Sequence, residues 1–327
     1  MATRRRPTYV EIEGLRLTAD YRPEFVQEAL RFIPEPGDIF LVTYPKCGTH
    51  WLSQIIQLIL HKGESADNFF QALSWSRIPE FLGTDVLEDA PRPRFMKTHL
   101  PFTRLNFSNV AKYVYVTRNP WDCCVSFYHH TKTFPAYHCE DVSFDDYFEM
   151  FIKGETDHGD YFDHLLSTYA LKNESNVFFL TYEDLKKDTK KWVLRLAGFL
   201  GDEYARALRD ENVLGQVLEK STVSYMKTVY EMSESNLTRA FAQEELPEVI
   251  RKICGQVLTW KGDGARLGFV RKGEVGGCKA YFKPDQWQRL WEKLNDRLGH
   301  TDLMNLWDWD SLRCNAVANG TANSLDK

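Results

Sequence analysis

Three separated segments collect cations, hydroxyls and an imidazole immediately behind short apolar runs. Thr43 to Trp51 (TYPKCGTHW) places Lys46, Gly48 and Thr49 just ahead of an apolar stretch. Lys97 and His99 sit in KTHLP, residues 97–101. Arg118 opens RNPWDCCVSFYHH (118–130), which also carries Ser126. A loop that enters a helix presents unpaired N–H groups and the positive end of the helix dipole, so the first segment suits an anion. Gly48 lets backbone approach that anion closely, while Lys46 adds a mobile charge and Thr49 a hydroxyl at the helix start. His99 has the side chain whose ordinary pKa suits general-base work near neutrality, with Lys97 beside it to stabilise charge. Arg118 offers a bidentate phosphate contact, and Ser126, two helical turns into the next element, offers a hydroxyl to the same anion. Singly, such patterns more often describe an ordinary N-cap, a packed strand-end histidine or a salt-bridged arginine.

The elements that must position these residues are legible as alternating periods. Asp38 to Thr43 (DIFLVT), Arg94 to Thr98, Lys112 to Thr117 and Asn176 to Thr181 are short, apolar and rich in β-branched or aromatic residues, and they read as strands. Trp51 to Leu60 (WLSQIIQLIL) carries apolar residues around most of a helix. Further helical patterns cover about 120–132, 144–152, 160–172 and 184–200. Strands alternating with helices predict an α/β, three-layer P-loop-type fold with a central, mostly parallel sheet flanked by helices. In such sheets ligands lie at the carboxyl ends of the strands, where the polar segments fall. One domain over residues 1–314 is expected, with a small, polar, disordered tail over 315–327.

Composition narrows the partners. The 327 residues are 43% hydrophobic and 14% aromatic, the make-up of a chain with a substantial core. With a formal net charge of −5 nothing global suggests nucleic acid as a partner, so cations must act locally. No apolar run has the ~18 residues of a membrane span, and MATRRRPTYVEIEG lacks the apolar core of an export signal. The seven cysteines are scattered without zinc-ligand spacing. A cytoplasmic protein with reduced thiols and no metal is therefore expected, and the sequons at Asn106, Asn173, Asn236 and Asn319 are read as chance matches.

The first loop is not the mononucleotide pattern GxxxxGK[ST], which a kinase needs for Mg²⁺ and triphosphate. PKCGTHW instead resembles the PKSGTTW loop of cytosolic sulfotransferases, with Cys47 for Ser and His50 for Thr. The resemblance implies 3′-phosphoadenosine-5′-phosphosulfate (PAPS) as donor and PAP as product, with no metal. Lys46, Cys47, Gly48, Thr49 and His50 would then bind its phosphosulfate, and Trp51 would pack on adenine. KTHLP resembles the segment bearing the family's catalytic base, which implies His99 as base and Lys97 as a charge stabiliser touching both donor and acceptor. RNPWDCCVSFYHH is similar to RNxxDxxVSxYHF, implying 3′-phosphate contacts from Arg118 and Ser126. The family's serine also restrains the loop lysine until acceptor binds, a role that falls to Ser126.

RKGEVGGCK (271–279) resembles RKGxxGxxK, implying donor contacts from Arg271, Lys272 and Gly273, with Phe269 and Val270 leading into it. Tyr182 matches a residue near adenine. Ser221, Val223 and Met226 correspond to TSFxxM, with Val223 replacing a base-stacking Phe. The motifs run in the family's order over roughly residues 38 to 280. The resemblance implies transfer to an acceptor hydroxyl or amine, and the aromatic candidates for the pocket suit a small phenol or catecholamine, with a steroid or aliphatic alcohol as the alternative. A P-loop kinase and a non-catalytic nucleotide-binding module are rival readings. A Golgi-type carbohydrate enzyme is a third, though it should carry a membrane anchor. Trp75, Phe81, Phe134, Tyr137 and His138 are candidates for the acceptor pocket, which should be mainly apolar. A family dimer segment, KxxxTVxxxE, survives here only as Lys279 in KAYFKPDQWQ, so a dimer is possible with its usual motif degenerate.

Overall fold

The computed structural model describes residues 6–232, 251–253, 255 and 267–312; the tail expected from residue 315 lies outside them. Four strands, β3 (Asp38–Val42), β4 (Arg94–Thr98), β5 (Lys112–Thr117) and β6 (Val177–Thr181), form one sheet in the order β4-β3-β5-β6. Every pairing is parallel, with Val42 opposite both Thr98 and Tyr115, and Thr117 opposite Thr181. Register follows from the alternation of side chains. Ile39, Leu41, Val114, Val116 and Leu180 enter one core with the helices Thr49–Leu60 and Thr189–Leu200. Phe40, Val42, Tyr113 and Tyr115 face a second core with the helix Pro120–Thr133. Two cores on two faces make three layers, because a strand buried on both sides has no polar face to offer water.

The helix Thr49–Leu60 is buried from Leu52 through Ile59. Its polar Gln57 survives there because Nε2 donates to Ala72 O at 2.9 Å and Ser76 Oγ at 2.8 Å. Residues 184–200 do not form one helix. Tyr182–Lys187 and Thr189–Leu200 are separate, since Asp188 turns out of the helical region and its carboxylate caps Lys191 N at 3.0 Å. The helix expected over 160–172 spans Tyr161–Tyr169.

An antiparallel hairpin, β1 (Tyr9–Ile12) with β2 (Leu15–Thr18), escaped sequence reading. Its signal was present: Glu13-Gly14, both at positive φ, is a two-residue turn between alternating apolar residues. Ile12, Leu15 and Leu17 pack on Val26, Ala29 and Leu100, which ties the hairpin to the residue following His99. A last strand pair joins β7 (Glu231–Met232) to β8 (Leu267–Gly268). The degenerate dimer segment runs into the helix Pro284–Leu298, where Trp287 stacks on Trp121 at 4.5 Å within this chain's own core. Truncating the fully buried Ile56 to Ala should lower unfolding free energy by about 2–5 kcal/mol, measurable by urea denaturation.

Candidate active site

Each parallel strand delivers one site residue as it ends. β3 leads into Thr43 and the Lys46 loop, β4 into His99, β5 into Arg118 and β6 into Tyr182. A cavity of about 840 Å³ opens over these ends.

The first loop is shaped for close approach. Lys46 has φ +68° and Gly48 φ +112°. A Cβ at Gly48 would lie 2.8 Å from Tyr182 Cδ2, so only glycine admits that ring against the loop. Thr49 Oγ1 and Thr43 Oγ1 share a hydrogen bond of 2.7 Å. Burial pulls the Lys46 ammonium down to about 8, and the charges of Arg118 and Arg271 press the same way. Cys47 turns its side chain away from the cavity, fully buried with Sγ 3.7 Å from Cys123 Sγ. His50 stays in the cavity wall against Phe269 and Tyr230, and burial holds its ring well below the usual histidine range.

His99 is oriented by β3. Its Nδ1 lies 2.8 Å from the Thr43 carbonyl and 3.1 Å from Thr43 Oγ1. A carbonyl only accepts, so Nδ1 carries the hydrogen and Nε2 keeps its lone pair. Burial, aided by the charges of Lys97 and Lys46, brings the ring to about 4, so it is neutral at pH 7. Glu80 braces the backbone here, with Oε1 accepting from His99 N and Thr98 Oγ1, both at 2.9 Å. Lys97 departs from its expected position. It is 2% exposed, Nζ has no hydrogen-bond partner, and it lies behind the cavity wall rather than in it. Burial brings Lys97 down to about 7 and Glu80 up to about 7.

Arg118 and the 271–279 segment meet through one carboxylate. Asp122 accepts from Gly276 N at 2.7 Å and Cys278 N at 2.9 Å. Arg118 Nη2 donates to Glu274 O at 2.7 Å, its guanidinium lies 4.5 Å over the Tyr182 ring, and Nε has no partner. Gly273 has φ +66°, and a Cβ there would collide with Val223. Ser126, Arg271 and Lys272 face the cavity. Trp51 Nε1 donates to Ser221 O at 2.9 Å, and its ring meets Tyr182 at 5.1 Å. Ser221, Val223, Met226, Phe269 and Val270 complete this wall.

At the other end, Phe81, Phe134 and Tyr137 line the cavity, whereas Trp75 and His138 do not. Trp75 stacks on His61 at 3.9 Å, and His138 is exposed at φ +50° on the turn after Pro135–Tyr137. Sequence reading missed Asp20, Tyr21, His130, Asp157 and His158, all cavity residues. His130 lay inside a quoted motif; the rest carried no local signal, because the hairpin and the 154–159 loop reach the cavity only by packing.

Among the described residues, no His, Cys, Asp or Glu cluster could hold a metal, and no helix is long and apolar enough to cross a membrane. The sulfotransferase domain model matches residues 36–302. The chain is 31% identical over 292 residues to sulfotransferase 1C2 of Oryctolagus cuniculus, covering 86% of this chain and 89% of that protein. It is 38% identical over 253 residues to Homo sapiens sulfotransferase 2B1, covering 75% and 61%. The solved structure of mouse sulfotransferase SULT7A1 complexed with PAP superposes with a TM-score of 0.71 at 25% identity, covering 93% of this chain and 99% of that one. The matched domain and these relatives define an enzyme of the sulfotransferase class on a P-loop-like sheet. The chain belongs to the sulfotransferase family. Asp122→Ala would leave the buried Cys278 N–H and the Gly276 N–H unpaired, costing about 2–5 kcal/mol of stability, and amide exchange at both positions should quicken.

Proposed function

We propose that the enzyme transfers a sulfuryl group from PAPS to the hydroxyl of a small aromatic acceptor, a phenol or catecholamine, and releases PAP. One observation carries this reading: a tautomer-locked, neutral imidazole shares a cavity with a cationic loop. The residues suit the donor. Lys46 and the N–H groups at the start of the helix Thr49–Leu60 would hold its phosphosulfate, the loop of Cys47 contributing through backbone alone. Arg118, with its unpartnered Nε, and Ser126, Arg271 and Lys272 would hold the 3′-phosphate, which an ordinary ATP lacks. Trp51 and Tyr182 offer edges and faces to a purine. PAP stands in the solved complex of the mouse relative, whose chain this one spans almost entirely.

The donor supplies the electrophilic sulfuryl group. His99 Nε2 takes the hydroxyl proton as the acceptor oxygen bonds to sulfur and the bond from sulfur to the phosphate oxygen breaks. Lys46 faces the oxygen that gains charge on departure, and Ser126 restrains that amine until acceptor is in place. Lys97, behind the wall and lowered to about 7 by burial, adds positive potential to the same region only while it is protonated. Cations fixed in place before charge develops act without reorganisation, which makes them effective in a water-poor site.

His99→Ala should lower kcat by about 10²–10⁴, followed by PAP release, while the donor dissociation constant stays within a few-fold. A pH profile tests the charges. His99 is lowered to about 4 and loses base function only below that, whereas Lys46, at about 8, loses its charge above it. The profile of kcat/KM for donor should therefore be bell-shaped, with limbs near 4 and 8. Bound anion favours the charged lysine, so the alkaline limb of kcat should lie higher.

A further inference from the structure

His99 is held from two sides. The Thr43 carbonyl sets its ring, yet a ring is fixed only as firmly as the backbone that carries it. β4 ends at Thr98, so the His99 N–H leaves the sheet beyond the last paired residue. Glu80 takes it: Oε1 accepts from His99 N and from Thr98 Oγ1, both at 2.9 Å. Thr98 Oγ1 in turn accepts from Leu100 N at 3.0 Å. Three successive residues are thus tied to one carboxyl oxygen. Glu80 lies in the short helix Pro79–Leu82, whose next residue, Phe81, lines the cavity. The chain entering that helix is laid along β4, because Lys97 N donates to Arg77 O at 2.8 Å and Arg77 N to Phe95 O at 3.1 Å.

We propose that Glu80 is the positioning residue of the base: by holding the His99 peptide it keeps Nδ1 on the Thr43 carbonyl and leaves Nε2 to the acceptor. The inference rests on the sulfuryl-transfer reading and deepens it. The Glu80 carboxyl is 1% exposed, and its Oε2 is enclosed with no hydrogen-bond partner. Burying a carboxyl is a costly way to satisfy two donors, so the contact is more than a convenience of packing. The charges that reach the His99 ring are those of Lys97 and Lys46, whereas Glu80 touches the peptide and acts through it. Oε1 accepts whether the group is a carboxylate or is protonated on Oε2, so the brace does not depend on its charge. A base displaced by about 1 Å loses about 10²-fold in rate.

The test compares Glu80→Ala with Glu80→Gln, which keeps an accepting oxygen and removes the charge, reading PAP release with 4-nitrophenol as acceptor. Glu80→Ala should lower kcat about 10–100-fold, with KM for PAPS and 4-nitrophenol within a few-fold of wild type. Glu80→Gln should recover kcat to within about threefold. In ¹⁵N-histidine-labelled enzyme, with the His99 signals assigned by their loss in His99→Ala, wild type and Glu80→Gln should show one tautomer carrying hydrogen on Nδ1. Glu80→Ala should show a mixture of tautomers. An unchanged kcat in Glu80→Ala overturns the proposal, as does a Glu80→Gln that falls as far as the alanine variant, or a lowered kcat with the His99 tautomer unmoved. Should Glu80→Ala fail to fold, Glu80→Asp, one methylene short of both donors, must show the same loss and mixture. No PAP release from wild-type enzyme with any acceptor sinks the sulfuryl-transfer reading, while the tautomer comparison still judges the brace.

Discussion

The site depends on the parallel register of β3 and β4. Thr43 N donates to Thr98 O at 3.1 Å, carrying their ladder one residue beyond the last paired strand residues. The Thr43 carbonyl is thereby brought to His99, whose Nδ1 it receives at 2.8 Å. A single-residue slip would move every buried side chain of β4 to the opposite face. It would also separate the imidazole from the carbonyl that sets its tautomer. Because both faces of the sheet are buried, such a slip is strongly opposed, and the chemistry inherits its precision from the cores.

From that junction the remaining parts are secured by few contacts. Tyr182 lies against Gly48 and under Arg118, linking β6, β3 and β5 through one ring. Asp122 fastens the 271–279 segment to the helix Pro120–Thr133 through two backbone N–H groups. Distant stretches of chain thus close one cavity without a metal or a disulfide among the described residues, where the five free cysteines are all buried. Burial first, and the neighbouring charges of Arg118 and Arg271 after it, lower Lys46, and an anionic ligand would offset both.

Cys47 shows how a departure inside a motif can be absorbed. Its thiol packs on Cys123 in the core, so the loop keeps its backbone while the side chain answers to packing rather than to ligand. His50 does the opposite and remains in the cavity wall, where burial first, and the charges of Lys97 and Lys46 next, keep it uncharged. Two neighbouring substitutions in one loop therefore have unrelated consequences.

The amino-acid order alone determined the four core strands, the helix after Gly48, and that Lys46, His99 and Arg118 follow strand ends. Those features are local: apolar alternation, a glycine at positive φ, and polar residues where a strand must stop. It also misplaced Trp75, His138 and Lys97, since spacing along a strand or helix does not say how deeply an amine or indole is covered. The far side of the cavity was invisible because it is assembled from distant pieces: the segment after the hairpin that brings Asp20 and Tyr21, and the loop that brings Asp157 and His158, whose ring meets that of His99. Only tertiary packing buries a carboxylate with one oxygen unpaired, because desolvation is a property of surroundings and not of a residue's place in the chain.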